Sequence, residues 1–315
     1  MTKLGCEGKK KEIVARKCYE VCKRALPGYS NRMGPKRYEF WQLIAMFLYG
    51  IIYNLTYRDL EEEFRISEVL RKALNLEKVP HYSTICKAVK RLREEDLKKL
   101  LEESAKLLNV KLDILAIGST GLREDNTSYY YAKRCGKNRK SWTKITVVVD
   151  TESQTILAGD VRRGSGNDGV ILGEIFKRGD IPSCDVLLAD SGYDCRGNEE
   201  IAIFKPIRRG GCYKSEDRIN LFLRWLFCRI IGLYGKRWIV ETVFSVIKRR
   251  FGDRIKSRSP YYKFVESHLI PVAYNIWRFF IPNPTHFILI RLLSTEHHIL
   301  IRSQPLHFKL LVEQV

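Results

Sequence analysis

From residue 1 to about 109 the apolar positions recur at helical spacing, and no run alternates as a half-buried strand would. Phe40–Tyr53 is almost continuously apolar, and Thr56–Arg65 sets Tyr57, Leu60 and Phe64 on one helical face. Ile66–Leu74 follows, up to the break at Val79-Pro80. Tyr82-Ser83-Thr84 then opens a helix through Ile85, Ala88, Val89 and Leu92, with Ser83 as the expected N-cap. The run from Phe40 to Leu55 is about 16 residues long and includes Gln42, Gly50 and Asn54, short of the ~20 that a bilayer span requires. It predicts a buried core helix.

Near residue 110 the period changes. Lys111–Gly118, Lys144–Asp150 and Thr155–Val161 are rich in β-branched residues and separated by turn-type segments, so they read as strands. Asp168–Arg178 reads as a helix starting at an Asx cap, and Asp185–Asp190 as a fully buried strand. Asn198–Phe204 is expected to be a short helix and Ile207 to mark a further strand. Helices follow over Ile219–Ile231 and Tyr234–Phe251, and over 262–281 with a break or kink near Pro271. This order predicts an α/β fold, a ribonuclease-H-like mixed sheet flanked by helices and preceded by an all-helical region. The expected divisions are residues 1–109, 110–260, and a C-terminal helix and tail over 261–315.

Composition adds the partner. Lys and Arg total 56 against 36 Asp and Glu, a formal net charge of +20. Apolar residues at 45% and charged residues at 29% are globular proportions, which excludes wholesale disorder. The basic excess favours a polyanion, most commonly nucleic acid. Lys87, Lys90, Arg91 and Arg93 flank the Tyr82 helix, which fits either a helix-turn-helix or a solvated helix face. Nine cysteines, with no CxxC and no zinc-type spacing, read as reduced thiols in a cytoplasmic protein. Cys18 and Cys22, one helical turn apart, suit a buried face or a ligand pair. The N-terminus lacks the apolar core of a signal peptide, and the six histidines form no metal spacing.

The densest chemistry lies on the late helix. At 100° per residue Tyr234, Arg237 and Lys248 fall within roughly 40° of Glu241, opposite an apolar back of Ile239, Val240, Val243, Val246 and Ile247. Asp190 ends an apolar strand and is followed by Ser191-Gly192-Tyr193, where functional groups of open α/β sheets gather. A carboxylate there and another on a flanking helix suit divalent cations for phosphodiester chemistry, Mg²⁺ or Mn²⁺ by ligand hardness. Arg237 and Lys248 would hold phosphates, and Tyr234 would stack on a base or donate to a phosphate.

These residues carry a resemblance. Tyr234, Arg237, Glu241 and Lys248 match, without a gap, the Y-(2)-R-(3)-E-(6)-K signature of insertion-sequence transposases of the DDE class. LLADSGYD around Asp190 resembles that family's second-Asp motif, and Tyr131–Asp150 its basic hairpin. The similarity runs from about Tyr38 to Phe280. It implies a ribonuclease-H-like transposase that cleaves and transfers strands with Mg²⁺ (or Mn²⁺) held by Asp190 and Glu241. Double-stranded DNA with terminal inverted repeats is the implied partner, Tyr234, Arg237 and Lys248 the implied DNA contacts, and a homodimer on DNA the implied assembly.

One position departs from the pattern. The family's first catalytic Asp belongs directly before Ser119-Thr120-Gly121, and Gly118 stands there, bringing no ligand. Asp113 lies five residues back on the other strand face, ~16 Å away. Glu124 and Asp125 would have to fold back to substitute. Loss of one carboxylate of three predicts a rate lower by orders of magnitude. Basic clusters at Lys133–Lys140, and at Arg249, Arg250, Arg254, Lys256 and Arg258, fit a DNA path. Three functions follow: a DDE transposase, a catalytically inactive DNA-binding derivative of one, and a nuclease of RNA–DNA hybrids. The Tyr-Arg-Glu-Lys line argues against the last.

Overall fold

The computed structural model describes residues 3–30, 36–124, 134, 136, 142–206 and 216–281, with backbone only for 3–8 and 217. The described residues up to Phe280 form one compact unit. Six helices come first: α1 (Lys3–Ala25), α2 (Phe40–Tyr53), α3 (Tyr57–Ile66), α4 (Glu68–Ala73), α5 (Tyr82–Val89) and α6 (Glu94–Ala105). Strands β1 (Ile114–Arg123), β2 (Trp142–Asp150) and β3 (Ile156–Arg163) follow, then α7 (Asp168–Lys177), β4 (Val186–Leu188) and a 3₁₀ turn at Ser191–Tyr193. Helix α8 (Glu216–Ile230), a 3₁₀ stretch (Leu233–Trp238), α9 (Ile239–Phe251) and α10 (Pro260–Arg278) complete the unit.

Helix α2 is buried on nearly every side, as its apolar run demands. On α1, Val14, Cys18, Val21 and Cys22 recur at helical spacing and are all buried, so the two cysteines belong to a packed helix face. Burial holds both thiols well above their usual range. Helix α3 starts in a capping box, Thr56 accepting from Asp59 N while Asp59 accepts from Thr56 N. The expected cap at Ser83 is corrected: His81 is the N-cap of α5, its Nδ1 facing both the Ser83 amide and hydroxyl. No helix among the described residues is long and apolar enough to cross a membrane.

The sheet has the order β3-β2-β1-β4, with β4 parallel to β1 and the other pairings antiparallel. Strand β1 runs on to Arg123, beyond the expected end at Gly118, because β2 pairs it through Arg123↔Trp142. One face, with Ala116, Leu122, Ile145, Val147 and Leu188, shares an apolar core with α1, α2, α5, α6, α9 and α10. The other, with Leu115, Ile117, Val148 and Ala158, packs on α7, Tyr193 and Phe204. Burial on both faces explains why β2 reads as an apolar run instead of an alternation.

The helix expected over Asn198–Phe204 is replaced by turns ending in a parallel bridge from Ile203 to Leu188. Its backbone bonds go to the sheet: Ile203 N donates to Leu187 O, and Ala189 N to Ile203 O. Ile207 lies outside the described residues. Pro260 starts α10, where its missing N–H costs nothing, and Pro271 sits inside a helix that is assigned without interruption to Arg278.

Strand β3 lies at a sheet edge and is closed at its start by a side chain. Asn275 of α10, fully buried, accepts from Ile156 N (2.9 Å) and donates to Ile156 O (2.8 Å) and Ser104 Oγ (3.0 Å). One amide thus substitutes for a neighbouring strand and fastens α6 and α10 to the sheet. Asn275→Leu is expected to destabilise the unit by about 1–3 kcal/mol for each buried group left unpaired. Urea unfolding measures this, and an unchanged midpoint would contradict the edge-closing role.

Candidate active site

The register of the parallel pair positions the site. Ala116 and Leu188 are the last partners of β1 and β4, and Gly118 and Asp190 each lie two residues further on. Two steps along extended chain return to the same face, and Asp190 is still extended at φ −83°, ψ 162°. The two positions therefore lie abreast on strands about 4.8 Å apart. That face is the one α9 covers. A Cβ built on Gly118 would come within 2.6 Å of Val240 Cγ1 and 3.5 Å of Phe244 Cε2. Val240 immediately precedes Glu241, so positions 118, 190 and 241 converge where β1, β4 and α9 meet.

The expected helix over Tyr234–Phe251 is two helices in series. Leu233–Trp238 is 3₁₀ and α9 starts at Ile239. With three residues per turn, Tyr234 and Arg237 eclipse one another, and the α-turn then aligns Arg237 with Glu241. The Arg237 guanidinium donates to Glu241 Oε1 at 3.4 Å and lies 5.3 Å over the Trp238 ring. Glu241 stays about half exposed, so this pair is worth only a few tenths of a kcal/mol. Lys248 is exposed two turns further along.

Tyr234 has a task that its sequence position did not announce. Its hydroxyl donates to Ala189 O at 3.0 Å, tying the 3₁₀ stretch to the residue before Asp190, and its ring packs edge-on to Trp225. Burial pushes this phenol up in pKa, against the opposing pull of Arg237. Asp190 is exposed, and its Oδ1 accepts from Ser191 N at 2.8 Å.

Behind the site, on the opposite sheet face, lies a polar network that the sequence reading missed. Ser119 Oγ donates to Asp168 Oδ1 (2.5 Å) and lies 2.8 Å from the Tyr193 hydroxyl and 2.9 Å from Thr146 Oγ1. Lys144, almost fully buried, pairs with Asp168 Oδ1 at 2.7 Å and donates to Gly166 O. The network locks the turn that follows Asp190 onto β1, β2 and α7. Its sequence signal is a lysine in the otherwise apolar run KITVVVD, which burial obliges to find an anion.

The three acids weighed as replacements at position 118 differ in what the structure says of them. Glu124 is buried at the far end of β1, where it accepts from Thr143 Oγ1 (2.6 Å) and Lys263 Nζ (2.8 Å). It is a structural ion pair. Asp113 is exposed at the opposite end of the strand, and Asp125 lies outside the described residues. Asp168 belongs to the other face. Asp190 and Glu241 are thus the candidate carboxylates left, against the three that the resemblance implies. Among the described residues no group of three or more His, Cys, Asp or Glu is arranged to hold a metal ion. The donor set does not fit a two-metal centre.

Of the expected DNA contacts, Arg250 turns inward, its guanidinium 4.0 Å over Trp277 and 5.9 Å over Tyr53. The hairpin cluster Lys133–Lys140 lies outside the described residues apart from Arg134 and Gly136.

Residues 110–276 match a family model described as a transposase DDE domain, and residues 13–91 one described as a transposase domain. A protein of Aquifex aeolicus, described as uncharacterized, is 27% identical over 263 residues, covering 77% of this chain and 78% of that one.

Position 118 has been packed as a glycine. A side chain there requires Val240 to turn or α9 to withdraw, and Val240 is β-branched and stiff in a helix. Gly118→Asp is expected to lower the unfolding free energy by about 1–3 kcal/mol, an overpacking cost. Thermal unfolding checks this; a Tm equal to that of the unmodified chain would mean that α9 does not rest on Gly118.

Proposed function

Because the chain belongs to the DDE transposase family, a class of DNA nucleases and polynucleotidyl transferases, we propose that it binds the double-stranded ends of a mobile element, recognising terminal inverted repeats, with strand cleavage and transfer impaired by Gly118. The observation that carries this reading is the β1–β4 register, which sets Gly118 abreast of Asp190 under the helix that bears Glu241. The position of the family's first carboxylate is thereby occupied by a residue with no ligand. Divalent metal in such enzymes activates the attacking oxygen and stabilises the leaving one. With two carboxylates in place of three, no cleavage step is assigned to this chain.

Its own residues keep the other half of the task. Arg237 and Lys248 present cations beside Glu241 for backbone phosphates, Arg237 with the planar fork that suits them. Tyr234 positions the Asp190 strand end, and its half-buried ring is assigned to the DNA. The helical region 1–109, with its basic α5 flank, is assigned to end recognition, and a homodimer brings two ends together. Cytoplasmic localisation belongs to the same proposal, supported by cysteines that are free among the described residues.

The test uses the purified full chain and duplexes carrying the inverted repeats that flank its gene. Binding is expected, with affinity falling 10³–10⁵-fold between roughly 50 and 200 mM salt if six to ten phosphates are contacted. No nicking is expected with Mg²⁺ or Mn²⁺, and Gly118→Asp is expected to gain it. Robust nicking by the unmodified chain would overturn the impairment, while salt-insensitive binding would overturn the DNA reading.

A further inference from the structure

Beyond the C-terminus of α9 the chain builds a second basic feature, separate from the Arg237–Lys248 line. Gly252, at φ +93°, ends the helix and turns the chain back toward β1. The loop is then held from both sides. Arg123 N donates to Asp253 O and Ile255 N to Arg123 O, each at 2.9 Å, so the loop pairs with the end of β1. Ile255 is buried, and the Glu266 carboxylate accepts from Lys256 N (2.9 Å) and Ser257 N (2.8 Å). A loop fastened in this way is preorganised, so a ligand need not order it.

Between loop and strand end runs an open groove of about 730 Å³, whose walls include Arg123, Asp253, Arg254, Lys256 and Arg258. Its two acids are already engaged, Asp253 by Arg123 and Glu124 by Lys263. Lys256 reaches across to Asn54 O at 2.8 Å, and burial lowers the pKa of its ammonium. Among the described residues Arg254 and Arg258 have no carboxylate partner, and the half-buried Arg254 has its Nε shut away with no hydrogen-bond acceptor. Arg254 and Arg258 thus bring to the wall positive charge that no described carboxylate neutralises. The groove is open, polar and cationic, which suits a continuous chain of phosphates in place of an enclosed small molecule.

We propose that this groove seats the sugar–phosphate backbone of the DNA strand leading to Asp190 and Glu241, with Arg254 and Arg258 as its phosphate contacts. Glu241 and Phe251 are separated by ten helical residues, or about 15 Å along α9. At 3.4 Å per nucleotide this corresponds to four or five nucleotides between the groove and the carboxylates. The inference rests on the reading of the chain as a duplex-DNA binder and adds where along the duplex it is held.

Fluorescence anisotropy of the full chain on a 20-base-pair duplex, titrated from roughly 50 to 200 mM salt, tests the proposal. Arg254→Ala/Arg258→Ala is expected to bind at least about tenfold more weakly and to reduce the log–log salt slope by about 2, one contact per guanidinium. Ethylation of phosphates four or five nucleotides from the reacting end is expected to weaken binding by the unmodified chain and to leave the double variant unaffected. Should the double variant lose its cooperative melt, Arg258→Ala, at an exposed position, carries the test with a slope change of about 1. Unaltered affinity and slope in a folded double variant, alongside weakened binding by Lys248→Ala, would overturn the groove and leave the DNA reading standing. Failure of the unmodified chain to bind the duplex at any salt would overturn both.

Discussion

The short parallel pairing of β1 with β4 is the constraint on which the site depends. It comprises only Ile114↔Val186, Leu115↔Leu187 and Ala116↔Leu188. A slip of one residue would send Asp190 to the face that α7 covers, away from Glu241. Burial on both faces prevents this, since Leu188 and Ala116 belong to one apolar core and Leu187 and Leu115 to the other. Ile203 clamps β4 from its outer side, and Tyr234 holds the Ala189 carbonyl from the helix side. A three-pair ladder is thus made unambiguous by its surroundings.

The charge surplus divides into two populations with different purposes. Lys144, Lys263 and Arg218 are largely buried against Asp168, Glu124 and Asp194, the first two joining strands to helices and the third joining α8 to the turn beyond Asp190. Arg250 lies flat on Trp277 and is likewise part of the scaffold. Lys248 and Arg249 remain exposed on α9, and Arg258 on the loop beyond it. The surplus of +20 is therefore no measure of contact with a partner. The cations that the scaffold does not use are the part that bears on binding.

Much of this was legible in the chain itself. Helix α2, the strands and the signature around Glu241 follow from periodicity and residue spacing, because burial on a regular element leaves a regular trace. What was not legible depends on distant partners. Ser83 has the chemistry of an N-cap, yet His81 begins α5 two residues earlier. Asn198 opens a stretch of helical appearance, but its side chain is committed to Gly169 O and Tyr193 O and the following backbone to β4. The 3₁₀ geometry at Leu233–Trp238 has no periodic signature distinct from an α-helix over six residues. For the candidate site, Asp190, Glu241 and Gly118 were singled out by motif and spacing, whereas the network on the opposite sheet face required knowing which strand faces which helix.

Asn275 has a consequence for how the protein is made. It closes the β3 edge from a point 119 residues further along the chain, on the last helix of the unit. A ribosome releases that helix last, so the edge at Ile156 and one flank of the helical core stay open until residue 278 has emerged. Any shortened copy that stops before α10 leaves those surfaces bare and is a substrate for aggregation and proteolysis. A shift of reading frame anywhere before α10 therefore costs the unit its closure, however far downstream of the sheet it falls.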